Sequence, residues 1–215
     1  MDQVGEIQLN VPLPLTNSAL VSLKKPHYDT VLLPAGLLNQ FRLFATPQGQ
    51  QYQGAFAGRM KTLRETSLKQ AARMDEPEWF ALFGFHWEIL SVAYDMDDFL
   101  QVLQYGRIEF KLASPKITVE LNLSEIPNRV GVEGVPRASL IPGAAGTGQW
   151  HNGVPHQSNF YQFAQSNGDP FPINYNESFD VTLVFSTIAA TDVAPAITTP
   201  LEFRWVFDGY RNEKR

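Results

Sequence analysis

The residues of this chain best suited to chemistry are four imidazoles, His27, His86, His151 and His156, and the carboxylates Asp75, Glu76, Glu78, Asp95, Asp97 and Asp98. Imidazole is a general base near neutral pH, and paired carboxylates act as acid and base or hold calcium. His86 lies between Phe85 and Trp87, a setting that predicts a buried structural histidine, since imidazole alone supplies neither an activated nucleophile nor an orienting carboxylate. His151 and His156 share a Gly/Pro-rich stretch and could approach one metal, but a stable zinc site takes about three or four protein ligands and the chain has no Cys to complete one. Both read as surface or interface histidines. The acidic residues fit no EF-hand spacing and read as a solvated face with a helix cap. The sequence therefore designates no catalytic, cofactor-binding or metal-ligating residue.

With no Cys, thiolate nucleophiles, disulfides and iron-sulfur ligation are excluded. No phosphate-cradling Gly-rich loop with Lys, no nucleophile-elbow pentapeptide and no His-Glu zinc motif occurs. Arg59, Lys61, Arg64, Lys69 and Arg73 stand against Glu65 alone, a stretch that could touch phosphate. It lacks the aromatic interleaving of a single-strand groove, and the net charge of -5 opposes coating by nucleic acid, so no specific nucleic-acid partner is expected. The acidic 75–98 region offers these cations a counterpart across a subunit boundary. Met1 to Glu6 lacks a basic and apolar leader, and no run reaches the roughly 20 apolar residues of a spanning helix; a soluble chain made without a signal peptide is expected.

Short strand-like runs must position all of these residues. Phe179 to Ser186 and Leu201 to Phe207 alternate or concentrate apolar side chains as packed strands do, while Gly and Pro are too frequent between runs for a helical scaffold. The fold class expected is mainly β, an antiparallel β-sandwich with a short helix. Further strands are expected at Leu37 to Ala45, Phe85 to Tyr94, Arg107 to Leu112 and Ile117 to Leu123, with Phe41, Leu43 and Ala45 opposite Gln40, Arg42 and Phe44. Residues 160–163 are expected as another short strand. Thr62 to Met74 is a short surface helix or an irregular loop. Asp97 should cap a helix from Asp98 to Tyr105, ended by Gly106. Residues 1–36, broken by Pro12, Pro14, Pro26 and Pro34, read as an extended N-terminal arm for partner binding, and 37–215 as the domain. A Gly/Pro-rich loop runs over about 124–158, and its residues 127–158 and the segment Tyr210 to Arg215 should lie outside the core. That core should hold Phe85, Trp87, Ile89, Phe110, Val119, Leu121, Val181, Leu183, Phe185, Phe203, Trp205 and Phe207.

The Pro-rich arm, Leu43 to Gln50 (LFATPQGQ), Arg107 to Leu112 (RIEFKL) and Pro172 to Leu183 (PINYNESFDVTL) together resemble the jelly-roll major capsid proteins of tailless icosahedral bacteriophages. The resemblance implies a single jelly roll of about eight strands, because 215 residues is short for two. It implies a structural protein of the virion capsid, made in the host cytoplasm and partnered by copies of itself and other capsid proteins. An internal membrane is an allowed neighbour, but no small-molecule substrate and no turnover are expected. The sequence leaves open a carbohydrate- or surface-binding β-sandwich with Trp150, Tyr161 or Tyr210 as a stacking platform, and an enzyme on a cupin-like barrel.

Overall fold

A computed structural model of the chain describes residues 20–24, 26–52, 58–76, 78–91, 94–113, 117–126, 132–135, 149–152, 161–163, 168–187 and 193–214. Its elements in chain order are β1 (Leu20–Lys24), β2 (His27–Leu33), β3 (Gly36–Leu37), β4 (Gln40–Leu43), β5 (Trp79–Ile89), α1 (Met96–Tyr105), β6 (Gly106–Leu112) and β7 (Ile117–Asn122). They continue with β8 (Val132–Val135), β9 (Gln149–Asn152), β10 (Tyr161–Gln162), β11 (Phe171–Asn174), β12 (Phe179–Phe185), β13 (Ala196–Ile197) and β14 (Leu201–Lys214). Among the described residues the fold is mainly antiparallel β-sheet with a short α-helix and a single 3-10 turn, Leu123–Glu125.

In the larger sheet β14 is central, paired with β1 and β2 on one side and β5 on the other, and β5 pairs onward with β10 and β11. The second sheet runs β4-β12-β6-β7. Strand alternation puts Phe203, Trp205 and Phe207 of β14 and Phe85, Trp87 and Ile89 of β5 on one buried face, with Glu202, Arg204, Asp208, His86 and Glu88 on the other. Buried residues of both sheets form one apolar cluster. Its rings meet across the sheets: Phe207 lies 5.7 Å from Phe110 and 5.4 Å from Phe179, and Phe85 lies 5.4 Å from Phe110. Of the expected core, Val119 and Leu121 are half-buried, packed against the cluster, and the other ten residues are buried.

A bulge divides β5. Asp208 pairs with Gly84 and Gly209 with Leu82, leaving Phe83 as the extra residue. The extra residue reverses the strand's parity, so Phe80 and Leu82 join the core while Phe83 sits edge-on to Tyr210 at 5.3 Å. A Cβ at position 209 would stand 2.1 Å from the Ala81 carbonyl oxygen, which explains glycine there.

Several sequence expectations change. The reading of 1–36 as an arm fails for its later part, because β1 and β2 are paired strands of the larger sheet and Val31 and Leu33 belong to the core. Pro26 falls between these strands and Pro34 after them, so the prolines punctuate pairing without preventing it; residues 1–19 lie outside the described residues. The C-terminal segment is also sheet, since β14 continues to Lys214 against β1. The strand expected at Phe85 to Tyr94 spans Trp79–Ile89 instead. Phe44 does not share the solvent face of Gln40 and Arg42: its φ of 58° turns the chain, and its ring is buried against Phe207. The helix cap is Asp95, whose side chain accepts from the Asp97 amide. Residues 62–74 form an irregular loop that buries Thr66, Leu68 and Met74. Within the Gly/Pro-rich stretch, β8 and β9 pair as an antiparallel ladder, and its other residues from 127 lie outside the described residues.

Candidate functional site

The solvent side of β2, β14 and β5 carries the largest set of interacting charged groups among the described residues. Arg59 and Arg64 approach the Glu202 carboxylate at 3.9 and 3.5 Å. Arg204, the next outward position on β14, donates through Nε to Thr30 Oγ1 at 3.3 Å and through Nη2 to the Arg64 carbonyl at 2.5 Å. Its guanidinium lies 4.7 Å from the Tyr28 ring centre, and Nη1 is 3.7 Å from Glu88. Glu88 then meets His86 Nε2 at 3.4 Å, and His86 Nδ1 contacts Asp208. Positive and negative groups thus alternate from the 59–64 loop across β14 to β5, each partnered by a neighbour on the same face.

His86 is buried and has a carboxylate on each ring nitrogen. Burial would push its pKa down, but the hydrogen bonds and charges of Asp208 and Glu88 outweigh burial and hold it above the ordinary 6.5. The expected structural histidine is therefore an ionic clasp between β5 and β14. Because the carboxylates occupy opposite edges of the ring, the three groups do not converge on one metal position, and neither nitrogen faces a hydroxyl nucleophile. Among the described residues no group of three or more His, Asp or Glu side chains is placed to hold a metal.

A second charged group lies on the inner face. Asp29 points inward from β2, in register with Trp205, and Lys61 Nζ contacts both its oxygens at 2.7 Å. Both side chains are essentially inaccessible, at 2 % exposure for Lys61 and 0 % for Asp29. The Phe44 amide, placed by that residue's positive φ, donates to Asp29 Oδ2 at 2.7 Å. Tyr52 lies with its ring centre 5.0 Å from Nζ, and burial, with the charges of Glu65 and Asp29, pushes its phenol pKa up. A shallow depression beside it, lined by Thr30, Leu32, Tyr52, Arg59 and Glu202, encloses no space for even a water molecule.

The expected cationic stretch is largely spent inside the chain. Lys61 is buried on Asp29, while Arg59 binds Glu65 at 2.7 Å and Arg64 reaches Glu202 from exposed positions; Lys69 and Arg73 are exposed as well. The acidic region behaves likewise. Asp75 accepts from the Lys69 amide, buried Glu78 pairs with Arg211, and buried Asp98 accepts from the amides and hydroxyls of Thr198 and Thr199 at 2.6–2.9 Å. Burial alone would raise the Asp98 pKa, but those four hydrogen bonds hold it below the usual 3.8. Asp95 and Asp97 stay exposed at the helix start, while Glu76 is exposed in the preceding loop. His27 is buried, with Nδ1 3.0 Å from Ser67 Oγ and its ring edge-on to Phe80. His151 and Trp150 are on β9, in backbone register with Glu133 and Gly134, and His156 lies outside the described residues. Tyr161 and Tyr210 are half-buried, one against the core and the other against Phe83.

The sequence reasoning missed Asp29, Glu88, Glu202, Arg204 and Asp208. Four of the five could have been found from alternation, since Glu202, Arg204 and Asp208 interleave with Phe203, Trp205 and Phe207 as Glu88 does with Trp87 and Ile89. Asp29 carried no such signal. Comparison with protein-family models, with curated proteins and with solved structures finds no match for this chain.

Proposed function

We propose that the chain is a single jelly roll that builds the wall of an icosahedral virus shell and performs no turnover. The observation that carries this reading is strand order. Taking β2, β4, β5, β6, β7, β11, β12 and β14 as successive principal strands, the sheets run β2-β14-β5-β11 and β4-β12-β6-β7. First pairs with last and second with next-to-last, the nested double Greek key by which a jelly roll is defined and which viral capsids, lectins and cupins share.

The choice among those uses rests on the interior and the faces. Phe44, Phe85, Phe110, Phe179, Trp205 and Phe207 fill the space between the sheets with ring contacts, which favours a packed wall over a ligand-holding barrel. Both outer faces carry charges neutralised by neighbours: the Arg59 to Asp208 network on one, and Arg42–Asp180, Arg107–Glu109 and Lys111–Glu109 on the other. Faces with little unbalanced charge are cheaper to bury against another subunit. Copies of this chain and other shell proteins are the proposed partners, in the virion.

Sedimentation and electron microscopy of native material test this reading. Closed particles with the chain repeated in their wall are expected; a strictly monomeric native protein would overturn it.

A further inference from the structure

We propose that Lys61 and Asp29 are a self-modification site, at which lysine Nζ joins the aspartate Cγ in an intramolecular amide bond with release of one water. Independently of any role in a shell, the pair has what this condensation requires. The amine nitrogen already lies against the carboxyl group, with Nζ 2.7 Å from both oxygens. Two groups held side by side need no bimolecular encounter, which lowers the barrier once Nζ faces Cγ. Their surroundings exclude water, since neither side chain is more than 2 % exposed.

The usual obstacle to condensing an amine with a carboxyl group is that both are ionised, as ammonium and carboxylate. Burial disfavours that charged form, and a proton can pass directly across the contact to leave amine and carboxylic acid. Burial outweighs the attraction of Lys61 and holds the Asp29 carboxyl above its usual range, which favours its protonated form. Nζ then adds to Cγ. The oxygen that becomes negative is Oδ2, where the Phe44 amide already donates at 2.7 Å, in the manner of an oxyanion-hole donor. Oδ1, which is also 2.7 Å from Nζ, collects protons from the nitrogen and leaves as water. The balance is ammonium plus carboxylate giving amide plus water, with no oxidant, reductant or co-reactant. The product keeps an oxygen acceptor for the Phe44 amide and removes two buried charges. It also ties β2 to the loop that carries Lys61.

Intact-mass measurement and peptide mapping of the purified, folded full chain test this assignment. The expected result is a mass one water below the sequence value and a branched peptide joining residues 29 and 61, with Lys61→Met and Asp29→Ala returning to their full sequence masses. Asp208-Gly209 is itself a step that can lose water by succinimide formation, so the branched peptide decides the location. The wild-type map alone is sufficient if the variants do not fold. A full-mass wild-type chain after prolonged incubation in the folded state would overturn the proposal. So would a water loss that maps to Asp208-Gly209 or persists in Lys61→Met.

Discussion

Replacing Phe207 by alanine tests whether the two sheets share one load of packing. Phe207 is fully buried on β14, and its ring stacks on Phe44 at 4.9 Å and meets Phe179, Phe85 and Phe110 within 5.7 Å. Phe179 and Phe110 belong to the second sheet, so the truncation opens a cavity between sheets rather than at an edge. A Phe→Ala change in such a site costs about 3–5 kcal/mol from lost transfer energy and the residual void. At about 2–4 °C per kcal/mol for a chain of this size, the midpoint of thermal unfolding should fall by roughly 6–20 °C. Urea unfolding followed by tryptophan fluorescence measures the loss, with Val119→Ala, a half-buried flank position, as a control that should lose less. A loss below about 1 kcal/mol for Phe207→Ala, or equal losses for the two variants, would refute the shared core.

The remaining predictions concern single contacts. The His86 clasp has a folded-state pKa above 6.5, so the folded state holds the proton more tightly. Its stabilisation is fully present below pH about 6.5 and is lost as pH rises through the folded value; His86→Gln should flatten that part of a stability-against-pH curve, and an unchanged slope would contradict the assignment. Asp98 has the opposite sign. Its contribution is present above the unfolded value and disappears as pH falls through the lowered folded value, and Asp98→Ala should cost about 2 kcal/mol at pH 7 by denaturant titration, since it leaves the Thr198 and Thr199 amides without their acceptor. Gly209→Ala forces a methyl group against the Ala81 carbonyl and the Phe80 ring and should cost about 2–3 kcal/mol in the same assay, a wild-type midpoint being the contrary result.

What the sequence disclosed was governed by local pattern. Val181, Leu183 and Phe185, like Phe203, Trp205 and Phe207, alternate along one chain segment, and their strands and burial were legible from that alone. β1 and β2 were obscured because proline signals interruption wherever it stands, whereas Pro26 and Pro34 occupy the gaps between paired segments. The end of β14 reads as a charged tail, yet its backbone pairing with β1 needs no apolar side chain, and Arg211 finds a buried partner in Glu78. The charged network was illegible for a related reason. His86 meets Asp208 122 positions away and Arg204 meets Thr30 174 away, so only sheet register brings the partners together. Lys61 reads as part of a cationic surface until the fold turns Asp29 inward beside it.

The proposed shell role is tested most directly by electron microscopy of the native assembly, with the particle wall resolved well enough to trace this chain. Closed particles are expected in which β2-β14-β5-β11 and β4-β12-β6-β7 recur in every wall subunit. Their neutralised outer faces and loops should be buried against neighbouring copies. Native material that contains this chain only as a monomer, or only as a component lying outside the particle wall, would contradict it.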